Sequence, residues 1–209
     1  MSLRIAFTVG VLTLLPPLAT GCLSPGEVVP INRYVIEPAI ETDAVAGMET
    51  PDAVNTIGLR PLAAARPYSS RMAFREGDLS IGYYPEVQWA ETPGPVVTRA
   101  LEDALRLTRA FTDVGDAADM SRPDLILTGD IRKFYEDRTV DGPVATVEVI
   151  LEVRESLGVE ALYNKIYVAA VPLEGSGPAA LAKAMNEAVA RFATDAARDI
   201  AGAAAAPLD

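Results

Sequence analysis

The sequence predicts an α/β fold, a single domain built on a mixed β-sheet of about five to six strands with two main helices packed on it. Two observations carry the prediction. Short apolar segments with strand character recur along the chain, and two long stripes at helical spacing interrupt them. The part of the 209-residue chain that follows Gly21 is long enough for one domain with a proper core.

Taken in order, Asn32 to Pro38 reads as a first strand stopped by proline, and Ile40 to Asn55, acidic and without period, as a surface loop. Thr56 to Leu62 is a second, weaker strand. Leu79 to Tyr84 and Val87 to Trp89 flank Pro85, which predicts a bent or edge strand. Thr92-Pro93 opens a helix with a hydroxyl cap and proline in the first turn. It runs to about Phe111, with Val97, Leu101, Ala104, Leu105 and Thr108 on one stripe. Asp124 to Tyr135 begins as a solidly apolar run suited to an interior strand. Ala145 to Arg154 alternates almost perfectly, a strand with one buried face. Leu162 to Val171 returns after a turn around Gly158. The last helix starts near Gly175 to Pro178, with Ser176 as a candidate cap, and carries Leu181, Met185, Ala188, Val189, Phe192, Ala196 and Ile200 on one stripe.

The amino terminus has a separate logic. Arg4 is a positive n-region, and Ile5 to Leu15 is apolar but too short for the roughly 20 residues of a spanning helix. Pro16-Pro17 then breaks the helix. Small residues lead to Cys22, the one cysteine of the chain. This pattern predicts a lipoprotein signal peptide over 1–21, cleavage between Gly21 and Cys22, and acylation of the Cys22 thiol. Each acyl chain contributes about 0.8 kcal/mol per buried methylene, so several chains make the attachment durable. Leu23 after the cysteine favours the periplasmic face of the outer membrane over the inner membrane by the sorting rule of enteric-type bacteria. Residues 22–30 form a short tether, 31–202 the folded domain and 203–209 a disordered tail. An ordinary secretory signal and a short uncleaved anchor are the competing readings.

Composition excludes several functions. The formal net charge is −11, which repels nucleic acid and anionic headgroups. There is no histidine, so Ser-His-Asp and Cys-His catalysis and His-containing zinc sites are ruled out. No lysine lies three residues after a serine, so the S-x-x-K nucleophile is missing. Asp113-x-x-Asp116-x-x-Asp119 lacks the alternate oxygens and terminal Glu of a calcium loop and reads as an acidic loop. Gly175-x-Gly177 lacks the third glycine and the lysine of a phosphate loop and reads as a helix start. Glu102-Asp103 and Glu136-Asp137 are adjacent pairs and read as solvated surface. The chain is therefore expected to be no enzyme and to need no cofactor or metal.

Two features suit binding. Arg60, Arg66, Arg71 and Arg75 gather positive charge in an acidic protein, and Arg pairs bidentately with carboxylate or phosphate. Local salt bridges to Glu76 and Asp78 are the competing reading. Tyr83, Tyr84 and Trp89 would be anchors for a partner if exposed, or core residues if not.

The chain also resembles the ABC-type transport auxiliary lipoprotein family. The resemblance rests on an ordered series: Tyr34-Val35-Ile36-Glu37-Pro38, Ile57-x-Leu59-x-Pro61, Met72 to Gly77, a tyrosine-bearing strand, Trp89 to Pro93 leading into a helix, Leu127-Thr128-Gly129-Asp130-Ile131-x-x-Phe134, and a closing amphipathic helix. It covers most of Tyr34 to Ile200, and the acidic Ile40 to Asn55 stretch is longer than the family pattern has there. The resemblance implies a three-layer α/β domain without catalysis. It also implies a membrane-anchored partner of an ABC permease and ATPase with a mammalian-cell-entry (MCE) protein, moving lipids or other hydrophobic compounds between the inner and outer membranes. Arg75 and Trp89 are its most recognisable positions, and Arg75, Tyr83, Tyr84 and Trp89 are the candidate partner-binding residues. Homo-oligomerisation is compatible with this role. An outer-membrane assembly or scaffolding lipoprotein and a hydrolase with converged carboxylates are the rival functions.

Overall fold

The computed structural model describes residues 30–45, 55–77, 79–139 and 141–205. Cys22, Gly21, the leader and most of the tether lie outside the described residues.

The spine of the molecule is β7 (Leu125–Thr139), the apolar run anticipated from the sequence and the longest strand. Along one edge it pairs antiparallel over its whole length with β8 (Gly142–Glu155), which pairs antiparallel with β9 (Ala161–Pro172). Its other edge is shared by three parallel partners in succession. β2 (Thr56–Leu59) takes Leu125–Leu127, β3 (Ala63–Ala64) takes Asp130–Ile131, and β4 (Arg71–Glu76) takes Glu136–Arg138. Beyond β2 lies β6 (Asp113–Asp116), parallel. Beyond β4 lies β5 (Ser80–Trp89), antiparallel, and then β1 (Asn32–Tyr34), parallel to β5. The mixed α/β class holds, and the described residues form one nine-stranded sheet rather than one of five to six strands.

The extra strands are short and lean on a neighbour's backbone for their definition. β6 has a single buried side chain, Val114, so Asp113 to Asp116 looked like a loop. β4 carries charge at both ends. The predicted loop from Ile40 also contains one helical turn, α1 (Thr42–Val45), because Val45 is fully buried.

The two long helices are α2 (Pro93–Thr108) and α3 (Pro178–Ala205). They pack on each other, and α3 lies over β8 and β9. Both therefore cover one face, and the described residues form two layers where the resemblance implied three. The predicted stripe of α2 is wholly buried: Val97, Leu101, Ala104, Leu105 and Thr108. Pro93 occupies its first turn, but the Thr92 hydroxyl makes no cap bond, and Arg109 in the left-handed region ends the helix before Phe111. The α3 stripe, Leu181 through Ile200, is buried against Ala145, Val147, Val149, Leu151 and Val153 of β8. Gly177 (φ +85°) opens α3 ahead of Pro178, its carbonyl accepting the Leu181 N–H at 3.0 Å. The helix passes residue 202 and continues to Ala205.

Pro85 does bend its strand. Arg71 is opposite Gln88 while Ala73 is opposite Tyr83, so β5 bulges between Tyr83 and Gln88. Pro85 has no N–H to leave unpaired there, and Glu86 takes φ +58°.

Gly129 marks the tightest approach in the spine. A β-carbon there would press on the Ile150 carbonyl oxygen and stand 2.7 Å from Leu151 Cδ2. Because the first obstacle is sheet backbone, Gly129→Ala is expected to cost about 1–3 kcal/mol, read as a lower urea midpoint with an unchanged slope.

Candidate functional site

Strand alternation decides where the predicted binding residues go, since neighbours on a strand face opposite sides of the sheet. On β7, Phe134 and Glu136 face the helices, whereas Lys133, Tyr135 and Asp137 face outward; the irregularity between Ile131 and Lys133 sets that phase. β4 and β5 follow the same division, so the four candidates do not meet.

Trp89 belongs to the core. It is 2% exposed, and its ring meets Phe134 edge-on with centroids 5.8 Å apart. Tyr84 is on the same side of the sheet, in an ion-pair network. Its hydroxyl donates to Glu136, which also accepts from Arg138 Nε at 3.1 Å. The Arg138 guanidinium covers the Phe74 ring at 3.6 Å and reaches Glu76. Glu136 is 3% exposed, so the adjacent pair Glu136-Asp137 is not solvated surface, as its spacing suggested. It is one buried carboxylate and one outward carboxylate on opposite faces.

Arg75 and Tyr83 share the outward face, each with its own partners. The Arg71 guanidinium stacks on Tyr83 at 3.7 Å, and the Tyr83 hydroxyl donates to the Pro67 carbonyl at 3.2 Å. Arg75 pairs with Asp137 at 2.7 Å and lies 5.2 Å from the centroid of Tyr135. Long-range pairs to β7 join Arg75 to Asp137 and Glu76 to Arg138, each 62 residues apart in sequence; the expected partner Asp78 lies outside the described residues. Lys133 bonds Glu148 at 2.5 Å. Tyr68, Arg75, Ile81, Lys133 and Tyr135 line a shallow groove, with Leu79 fully exposed at its rim and Arg132 exposed beside it. Arg71, Arg75, Arg132 and Lys133 thus stand against Asp137 and Glu148, a positive patch on a chain of net charge −11. Arg60 and Arg66 are exposed but not lining residues of this groove.

The groove is suited to binding. Burial pushes the Tyr68 phenol up to about 12, with Tyr135 adding to the rise and the Arg75 charge opposing it. Burial raises Tyr135 as well, and the bond to Glu148 raises Lys133. At neutral pH the phenols are hydroxyl donors and the lysine is a fixed cation. None is an activated nucleophile.

Those phenols make stability sensitive to alkali. Tyr68, Tyr135 and, on the helix side, Tyr167 all have raised values, each chiefly by burial. Below about pH 10, the ordinary phenol value, folded and unfolded chains both keep the proton. Above it the unfolded chain ionises first, so stability is lost as pH rises from about 10 through the folded values. With no histidine, the urea midpoint is expected to be flat from about pH 6 to 9 and to fall beyond about pH 10 together with the appearance of phenolate absorbance. A steep fall near neutrality contradicts this.

The other motifs resolve into local structure. Asp113 accepts the Val114 N–H at 2.9 Å and Asp116 that of Ala118 at 2.8 Å, and no metal-binding group of carboxylates forms among the described residues. Sequence reasoning missed Tyr68, Lys133 and Tyr135 as members of the groove. The signal was there for two of them, since Lys133 and Tyr135 stand two apart on the assigned strand Asp124 to Tyr135.

No helix among the described residues is long and apolar enough to cross a membrane. Among solved structures, one from Xanthomonas campestris, assigned to family DUF330, has a TM-score of 0.70 at 19% identity, covering 82% of this chain and 96% of that one. A hypothetical protein from Chlamydia trachomatis has a TM-score of 0.51 at 10% identity, covering 74% of this chain and all of that one. At such identities the likeness is one of fold. No curated protein matches the sequence. The family described as the ABC-type transport auxiliary lipoprotein component matches residues 41–197. That is well over half of the sequence, and the chain belongs to the ABC-type transport auxiliary lipoprotein family.

Proposed function

We propose that this protein is a non-enzymatic, lipid-anchored docking subunit of an MCE-type ABC system that moves lipids or other hydrophobic compounds between the inner and outer membranes. Family membership is the observation that carries the reading: the chain belongs to a family of auxiliary lipoprotein components of ABC-type transport, and a non-catalytic auxiliary serves such a system by docking. Acylated Cys22 attaches the chain to the periplasmic face of the outer membrane, and the short tether keeps the domain close to it. The outward groove around Arg75 and Tyr83 is the docking surface, because its cations and apolar rim contrast with the acidic remainder. It takes a carboxylate-bearing surface of the MCE protein, by the complementarity that gives interfaces their register and on-rate.

Two experiments separate the parts of this proposal. Cys22→Ser is expected to move the protein from the membrane pellet to the soluble periplasmic fraction or to trap it unprocessed. An acylated mature protein in that variant contradicts the anchor. Capture of the native protein from solubilised membranes is expected to bring down the MCE protein with its permease and ATPase. Capture of outer-membrane assembly proteins in their place would favour a scaffolding lipoprotein unconnected to transport.

A further inference from the structure

The end of the sheet remote from the arginine groove holds a different kind of cavity. Leu125, Val153, Ile200, Ala203 and Ala204 wall a pocket of about 90 Å³ between the last turns of α3 and the sheet. One water needs only ~10–15 Å³ by such a measure, and these walls offer it little to bond. Asn55 adds one polar wall, and two further residues join the pocket by an irregularity of β9. Val153 is opposite Tyr163 and Arg154 is opposite Ala161, so Leu162 is an extra, unpaired residue. A bulge of this kind re-aims side chains. It lets Leu162 and Tyr163, which would otherwise face opposite sides, both line the same cavity. Leu162 remains 42% exposed.

The pocket does not close on itself. Asn55 and Leu125 are also walls of a wider groove that carries Arg122, Asp124, Glu155 and Ser156. Asp124 already accepts the Thr56 N–H and hydroxyl, each at 2.8 Å, and those bonds hold its carboxyl below the ordinary range. One cation and two carboxylates therefore line the way out. A purely anionic head meets the carboxylates, and a purely cationic head meets Arg122. A head with both charges has a partner for each.

We propose that this pocket and groove bind a single-chain amphiphile with a zwitterionic phosphate–amine head. The alkyl end lies among Leu125, Leu162 and Ile200, the phosphate at Arg122 and the ammonium at Glu155. The volume admits one chain end and not two. The inference stands on this cavity alone, so it can fail while the docking reading holds, and the reverse.

The test uses the full acylated chain held in an amphipathic polymer belt. The probe is lysophosphatidylethanolamine bearing a diazirine next to its terminal methyl. On illumination, labelled peptides are expected to contain Leu162 or Ile200. Ala203→Trp, at an exposed helix position that lines the pocket, is expected to lower labelling roughly tenfold by displacing a few methylenes. Arg122→Glu is expected to lower it as well, and a fatty acid with the same tail is expected to label more weakly than the lysolipid. Circular dichroism reports that each variant is folded, and Leu162→Ala substitutes for any that is not. Labelling spread evenly over the chain, or unchanged by Ala203→Trp, overturns the pocket. Equal labelling by the fatty acid overturns the zwitterionic head. Capture of the transporter components by Ala203→Trp is expected to equal that of the native chain.

Discussion

Trp89→Ala is expected to destabilise the domain by about 3–5 kcal/mol, the range for removing a large aromatic from a core. The indole is 2% exposed and meets Phe134 edge-on, and it stands where the end of β5 joins β1 on one side and β4 on the other. The Trp89 backbone N–H donates to the Ser70 carbonyl, and the Ala90 backbone N–H to the Tyr34 carbonyl at 2.8 Å. The cavity left by alanine would open beneath this junction, where the three-residue β1 has little else to hold it. Of a total stability of about 5–15 kcal/mol for such a domain, this is a large share. The readout is a urea midpoint displaced far to lower concentration, with reduced recovery from membranes as a consequence. A loss below about 1 kcal/mol would mean that Trp89 serves a partner and not the fold.

The second large effect is on binding and leaves the fold alone. Arg71→Glu combined with Arg132→Glu reverses two exposed cations beside the Arg75 groove. Arg71 loses its stacking on Tyr83, worth about 0.5–1 kcal/mol at an exposed site. The urea midpoint should therefore move little. Capture of an acidic docking partner should fall about tenfold or more, and the deficit should grow at low salt, where screening is weakest. Lysine at both positions should restore most of the capture, since charge carries the attraction. Unchanged capture by the glutamate pair would remove this face from the docking reading.

How far the fold could be read depended on how much of each element's definition was local. The stripes of α2 and α3 and the alternation of β8 were legible because burial follows a period within one segment. Val97, Leu101 and Leu105, or Val147, Val149 and Leu151, are enough to establish it. β3, β4 and β6 were hidden because their pairing comes from β7 or β2, distant in sequence, and too few of their side chains are buried to form a pattern. The layering was missed for a related reason: an apolar stripe says that a helix packs, not on which face. At the candidate site, Trp89 and Arg75 could be singled out as positions but not sorted. Sorting required the register of β4 and β5 on β7, which sends Tyr84 to Glu136 and Arg75 to Asp137. One partner of Arg75, Asp137, lies 62 residues away, and no local rule would have chosen it. The pocket at Leu162 was wholly out of reach, because a single unpaired residue in β9 leaves no mark in a sequence that alternates tolerably without it.

The central claim is that this domain acts by holding an MCE protein at the membrane through its outward face. The most direct measurement is site-specific photocrosslinking in native membranes, with a photoreactive residue replacing the fully exposed Leu79 at the rim of the groove. The account predicts one dominant adduct, containing the MCE protein, that disappears in the Arg71→Glu, Arg132→Glu background and persists when the crosslinker is kept and Ala203 is changed to Trp. An adduct only with components unrelated to transport, or none from Leu79 while the MCE protein crosslinks to another surface of the domain, would contradict it.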